Sequence, residues 1–344
     1  MIDSHTIEMV TRGDTSITKL VPADRVSILT VCDNTIDIFL IDEGPAHRIL
    51  GRGGTPLYVP AATMIERDVI DSPEAQHGFS ALVTVTFGDQ HHHLLFDTGI
   101  SSGGATENLK RLGVDPTIIE AVACSHGHFD HTAGLAGLTS LLGPRHLPFI
   151  VHPDFWLRRR LLIGPEPFAL PTVDRSTLQA AGFQIVENDG PTLLFDRHAL
   201  LTGQIERNTD FEVGFPLQEA QRGGTWQPDP DTLDDQALVV HVRDKGLVVL
   251  TGCGHAGLIN TIRYAQQLTA VDHLHAVMGG FHLTGPLFEP LIDPTTDALA
   301  EIDPDVIVPT HCTGWRAIHA IAERLPKAFV QNSVGTSIDL EADS

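Results

Sequence analysis

Cysteine and aromatic residues are scarce in this chain, basic residues are outnumbered, and long apolar runs are missing. The four cysteines, Cys32, Cys124, Cys253 and Cys312, are too few and too scattered for a disulfide scaffold, so free thiols in a reducing compartment are expected. Lys and Arg number 22 against 44 Asp and Glu, a formal net charge of -22. A field of that sign repels phosphate backbones and anionic lipid, which argues against nucleic acid as a partner. No stretch approaches the ~18 apolar residues that span a bilayer, and Met1-Ile2-Asp3-Ser4-His5 is not a basic segment leading into an apolar one. The expectation is a cytoplasmic protein with no membrane contact that acts on a small molecule. A Gly-x-Ser-x-Gly elbow and a clear phosphate-binding glycine loop are also absent, so neither a serine triad nor a polyanionic substrate is indicated.

What is present is an ordinary globular composition: 344 residues, 42% hydrophobic and 19% charged, enough for one large core. From about Arg25 short β-rich runs alternate with helical ones, the pattern of a layered α/β domain. A single catalytic domain over 25–340 is expected, after an N-terminal extension over 1–24. Strands are predicted at 26–31, 81–87, 93–96, 118–124, 237–242, 247–251, 275–278 and 306–309, with helices near 106–112, 135–142 and 258–268. Three long Gly/Pro-bearing segments, 43–76, 163–174 and 204–235, interrupt the pattern and read as walls or lids of a pocket. Arg158-Arg159-Arg160 reads as a solvated helix end, with an anion site as the rival, and His91-His92-His93 as a solvated turn.

The chemistry concentrates in His126-Gly127-His128-Phe129-Asp130-His131, which lies between a predicted strand and a predicted helix. On a helix, residues i and i+2 diverge, but in a loop three imidazoles and a carboxylate can converge on one ion. That donor set suits zinc, and also iron or manganese. Histidines also follow each of the last three predicted strands: His255, His282 and His311.

His-x-His-x-Asp-His after a strand, preceded by Phe96-Asp97-Thr98-Gly99, resembles the signature of the metallo-β-lactamase superfamily. The segments Gly252-Cys253-Gly254-His255-Ala256-Gly257-Leu258, Gly279-Gly280-Phe281-His282-Leu283 and Pro309-Thr310-His311-Cys312-Thr313-Gly314 look like one subgroup, labelled dihydropteroate-synthase-like for a pterin-related synthase step, that of 7,8-dihydropterin-6-methyl-4-(β-D-ribofuranosyl)aminobenzene-5'-phosphate synthase. The resemblance implies an αββα sandwich with one or two metal ions at one edge. His126 and His128 would hold the first ion, Asp130 and His131 the second, and His311 would match the family's last liganding histidine. The usual middle histidine and bridging aspartate are not plainly present; Gly252-Cys253 stands where Gly-Asp is expected. Cys253, His255 or His282 could take that role, with His282 alternatively a proton-relaying or substrate-contacting residue. Asp97 would orient a liganding histidine, and His77 would border the pocket; Cys124 and Cys312 read as packing residues.

The function expected from the resemblance is hydrolysis: a metal-bound hydroxide, anchored by Asp130, attacks a carbonyl or phosphoryl centre, and His282 or water protonates the leaving group. Two other enzyme readings use the same site, iron-dependent redox or oxygen chemistry and the pterin-related synthase step. A non-catalytic ligand-binding protein is the remaining alternative. Phe215 and Trp226 read as anchors of the long loop 204–235, with stacking on a substrate ring as the rival.

Overall fold

The computed structural model describes residues 7–13, 18–49, 51 and 57–343. Two large sheets face one another. The first has seven strands in the order Glu8–Met9, Thr192–Leu194, Ala199–Leu201, Leu238–Val242, Gly246–Thr251, Leu274–Gly280 and Val306–Thr310. The second has eight, in the order Gln184–Glu187, Pro148–Val151, Ala121–Ala123, Gln90–Phe96, Ser80–Phe87, Arg25–Cys32, Ser337–Glu341 and Ala46–His47.

Side-chain alternation explains the layering. In Ser80–Phe87, Ala81, Val83 and Val85 point into the core between the sheets, while Leu82 points outward. In Gly246–Thr251, Val248 and Leu250 face that same core, and Leu247 and Val249 face the other way. Strands apolar on both faces require cover on both faces. Helices Leu258–Thr269, Ile292–Ile302 and Trp315–Arg324 supply it for the first sheet, through residues such as Ile262, Leu299 and Ile321. Gly104–Arg111 and Leu135–Leu142 cover the second sheet through Leu109 and Leu138. The order of layers is αββα, as the resemblance implied. Among the described residues no helix is long and apolar enough to cross a membrane.

Two features differ from the sequence-based expectations. Arg159–Leu161 is not a helix end but a strand, part of a four-stranded sheet with Phe168–Ala169, Gln218–Arg222 and Thr225–Pro228. Arg159 is buried there with its guanidinium on Asp229 and Asp234, so it is neither solvated nor an anion site. The triplet His91-His92-His93 lies inside strand Gln90–Phe96, opposite Thr86, Val85 and Thr84, because Gly88-Asp89 alone makes the turn. Its rings bond to Thr84, Thr86 and Glu120 rather than to one another.

The long segments are also more ordered than loops. Residues 204–235 carry a hairpin of the four-stranded sheet. They also carry Glu212, whose carboxylate accepts from the amides of Ile259 and Asn260, 2.8 Å each, at the start of helix Leu258–Thr269. The segment 43–76 carries the hairpin Tyr58–Pro60/Asp68–Ile70. At the N-terminus, Glu8–Met9 pairs with Leu193 and Thr192 at the edge of the first sheet, and Leu20 and Ala23 are buried.

Candidate metal centre

Every candidate ligand follows the carboxyl end of a strand on one edge of the sandwich. Gln90–Phe96 leads to Asp97, Ala121–Ala123 to His126, Gly246–Thr251 to Cys253 and His255, Leu274–Gly280 to His282, and Val306–Thr310 to His311. The three strands bearing the last four ligands are adjacent and parallel, so their ends lie side by side.

The His-rich loop is held by its backbone. Gly127 N–H donates to Asp234 Oδ2 at 2.8 Å, and a Cβ on Gly127 would sit 2.3 Å from the Phe155 carbonyl oxygen. Only glycine fits there. Phe79 N–H donates to the Asp130 carbonyl, and Thr98 donates to that of His131 through both its amide and its hydroxyl.

Each of the three imidazoles then has one nitrogen engaged from behind. His131 Nδ1–H donates to Asp97 Oδ2 at 2.7 Å, leaving Nε2 facing Cys253 Sγ at 3.1 Å. His128 Nε2–H donates to Gln218 Oε1 at 2.8 Å, leaving Nδ1 facing His255 Nε2 at 3.1 Å. His126 Nδ1 lies 2.9 Å from Ser125 Oγ, whose own hydroxyl donates to Asp97 Oδ2 at 2.8 Å; His126 Nε2 is buried without a partner. Partners of this kind fix the tautomer and turn the remaining lone pair toward a cation.

Two donor groups result. Asp130, His131, Cys253 and His311 form one, and His126, Cys253 and His255 the other, with donor atoms in each within 4.8 Å of one another. His128 joins the second group through His255. Cys253 belongs to both, which is the place a bridging ligand occupies. His311 has a left-handed backbone, φ 46°, and its amide donates to the buried Asp33. Its Nε2 is buried without a hydrogen-bond partner, 3.4 Å from Asp130 Oδ2. Buried nitrogens are seldom left unpaired. Two of them pointing at one carboxylate and one thiol fit a divalent ion.

The electrostatics agree. Burial lowers the pKa of His126 well below its ordinary value and takes His128 to about 4, so both rings are neutral donors at pH 7. Burial works against charge at His131 too, but Asp97 and Asp130 outweigh it and raise that ring to about 9. Burial would raise Asp130, yet His131 and His311 hold its carboxyl well below the usual range. The Asp130 and His131 side of the centre thus favours positive charge, while burial keeps the His126 and His128 side as neutral rings with free lone pairs.

The structure therefore brings His126, His128, Asp130, His131, Cys253, His255 and His311 together, with Asp97 behind His131. His282 stands beside them, its ring 4.2 Å from that of His255. His77 lies at the rim, largely exposed, its Nε2 3.9 Å from Asp130 Oδ2. Phe215 stands 6.3 Å from His282, whereas Trp226 lies under the Arg160 guanidinium and anchors its hairpin. Sequence reading missed Gln218, Ser125, Asp33, Asp234 and Asp235. Asp235 accepts from the amide of Ala256, and burial raises its carboxyl to about 7. Ser125 and Asp33 were visible only as residues beside a strand end, and nothing in the sequence marked Gln218.

The comparisons give the family and the fold. The family model of the metallo-beta-lactamase superfamily matches residues 76–311, and the chain belongs to that superfamily. It is similar to the 7,8-dihydropterin-6-methyl-4-(beta-D-ribofuranosyl)-aminobenzene-5'-phosphate synthase of Methanocaldococcus jannaschii, 27% identical over 272 residues, covering 77% of this chain and 90% of that one. An uncharacterized protein of the same archaeon is 29% identical over 273 residues, covering 77% of this chain and 94% of its own length. Among solved structures, a metal-dependent hydrolase of the beta-lactamase superfamily superimposes with a TM-score of 0.66 at 24% identity, over 93% of this chain and 100% of that one. That likeness confirms the fold.

Proposed function

We propose that this chain is a metal-dependent hydrolase acting on a carbonyl or phosphoryl centre of a small molecule. The observation that carries the reading is the set of three imidazoles, each locked from behind by Asp97, Ser125 or Gln218, presenting free nitrogens to the same space as Asp130 and His311. Six residues hold the cation or cations: His126, His128 and His255 on one side, Asp130, His131 and His311 on the other. Zinc suits this set, with iron or manganese as the other candidates. Such an ion supplies Lewis acidity and lets water ionise near neutral pH.

The protein's own part is positioning. Asp130 stays ionised, with its Oδ2 facing both His131 and His311, so the carboxylate can accept a hydrogen bond from a water O–H and aim that water's lone pair. Asp97 fixes His131 and, through Ser125, also His126. His77 and Phe215 border the approach, one polar and one apolar, as a site for a small organic substrate requires.

The similarity to a pterin-related synthase supports a second reading, in which the same site serves a synthase step. Elemental analysis of protein purified without added metal, with a panel of esters, lactones, phosphodiesters and reduced pterins, separates the possibilities. Turnover of a hydrolysable substrate that scales with zinc content supports hydrolysis. Iron with oxygen uptake points to redox chemistry, and inactivity on the whole panel at full metal loading points to a binding protein.

A further inference from the structure

One cluster is left over once the two cation positions have been assigned. Cys253, His282 and Cys312 present donor atoms that all lie within 4.8 Å of one another. Both cysteines are buried and unbridged. They approach because Gly280 stands between their strands: a Cβ there would sit 2.6 Å from Cys312 Sγ and 3.1 Å from Cys253 Cα. Cys312 S–H lies over the Cys253 carbonyl at 3.3 Å. His282 reaches the pair with φ 47°, a left-handed backbone that is strained for a non-glycine residue and usually marks a functional constraint. Its Nδ1 is buried without a partner. Two packed thiols need no such nitrogen, whereas an ion held by them does.

We propose that Cys253, His282 and Cys312 form a third cation position, selective for soft ions such as zinc, cadmium or cuprous copper. Its donors are two sulfurs and an imidazole, softer than the all-imidazole and carboxylate-containing sets beside it. Those sets keep three donors each when Cys253 turns to the third position, so the three can be filled together. Three protein donors leave one tetrahedral site open to water or to a ligand atom. The role of His282 is then to bind an ion of its own, the ligand alternative of the two its place in the sequence left open, and not to relay a proton. The inference does not depend on the hydrolase reading.

Cadmium titration of the full-length metal-free chain tests it, with bound equivalents counted by elemental analysis and thiolate-to-cadmium absorption followed in the ultraviolet. Wild type takes up three equivalents, while manganese stops at two. Cys312→Ala and His282→Ala each stop at two equivalents of cadmium, and Cys312→Ala loses at least half of the thiolate absorption. Circular dichroism verifies that both variants are folded, and Cys312→Ser serves if Cys312→Ala is not. His128→Ala loses an equivalent but keeps the full thiolate signal, so failure of the imidazole centre is distinguishable from failure of the third position. Saturation of wild type at two equivalents, or an unchanged thiolate signal in Cys312→Ala, overturns the proposal.

Discussion

The two halves of the candidate metal centre are built by opposite means. One comes from six consecutive residues, His126 to His131, folded back on themselves in a loop; the other collects Cys253, His255, His282 and His311 from the ends of three parallel strands. The first half owes its shape to buried side chains behind it, chiefly Asp97, Gln218, Asp234 and Arg159. The second half owes its shape to sheet register, which sets strand ends side by side whatever residues follow. A defect in the support should therefore loosen the loop half while sparing the strand-end half.

The largest expected effect is at the contact between the halves. His128→Ala removes the ring whose Nδ1 meets His255, and turnover should fall to background together with one equivalent of metal. Circular dichroism should stay near wild type, because the ring contributes to the centre and not to the apolar core. Full turnover by the metal-free variant would reject the hydrolase reading.

Next comes the support of the loop. Arg159 is buried between Asp229 and Asp234, and Asp234 in turn receives the Gly127 amide. Arg159→Leu leaves the buried Asp234 without its cation, while Asp229 keeps Arg222; removing one partner of a buried pair costs about 3–5 kcal/mol. Chemical denaturation at neutral pH measures it. Burial alone would raise Asp234, but Arg159 outweighs it and lowers the carboxyl. A carboxylate lowered on folding stabilises above its ordinary pKa of about 4 and loses that contribution as acid protonates it. The gap between variant and wild type should thus be widest at neutral pH and narrow below pH ~4. A gap independent of pH would mean that the ion pair is not what holds the loop.

A smaller effect, confined to the loop half, is expected at Asp97. Asp97→Asn keeps the size of the side chain but removes the charge opposite His131, and a loss of about 10–100-fold in metal affinity or activity is typical of such partners. Affinity measured by competition with a chelator should drop for the position containing His131, with the thiolate signal of Cys312 untouched. Equal weakening of both would show that the halves are not independent.

The sequence displayed these halves unevenly. His126 to His131 was readable because its donors are neighbours in the chain, and helix Leu258–Thr269 and the strands Ser80–Phe87, Gln90–Phe96, Leu238–Val242 and Gly246–Thr251 were readable from periodicity. His255, His282 and His311 could be placed at strand ends, but which donors share an ion depends on register, which a strand does not encode alone. Cys253 was one of three candidates for the middle ligand, and only the parallel pairing of its strand with Leu274–Gly280 brings it within reach of both groups. Arg159 misled for a different reason: a run of three arginines reads as exposed, and the two aspartates that bury it lie 70 and 75 residues away.

The smallest effect belongs to the region least connected to either half, the hairpin Tyr58–Pro60/Asp68–Ile70. In the chain it lies between Asp33, which holds His311, and His77, which faces Asp130, with the sheet strand Ala46–His47 separating it from Asp33. Its body does not behave like core. Ile65 is 94% exposed, so replacing it removes almost no buried apolar area. Ile65→Ser should shift stability by no more than about 0.5 kcal/mol, as for other exposed positions. Metal content should be unchanged as well, since register and buried support, not this hairpin, set the ligands. Urea denaturation and elemental analysis of the same preparation check both. Lost metal with unaltered stability would mean that the hairpin reaches the centre through the chain leading to His77, and the division into two halves would need a third member.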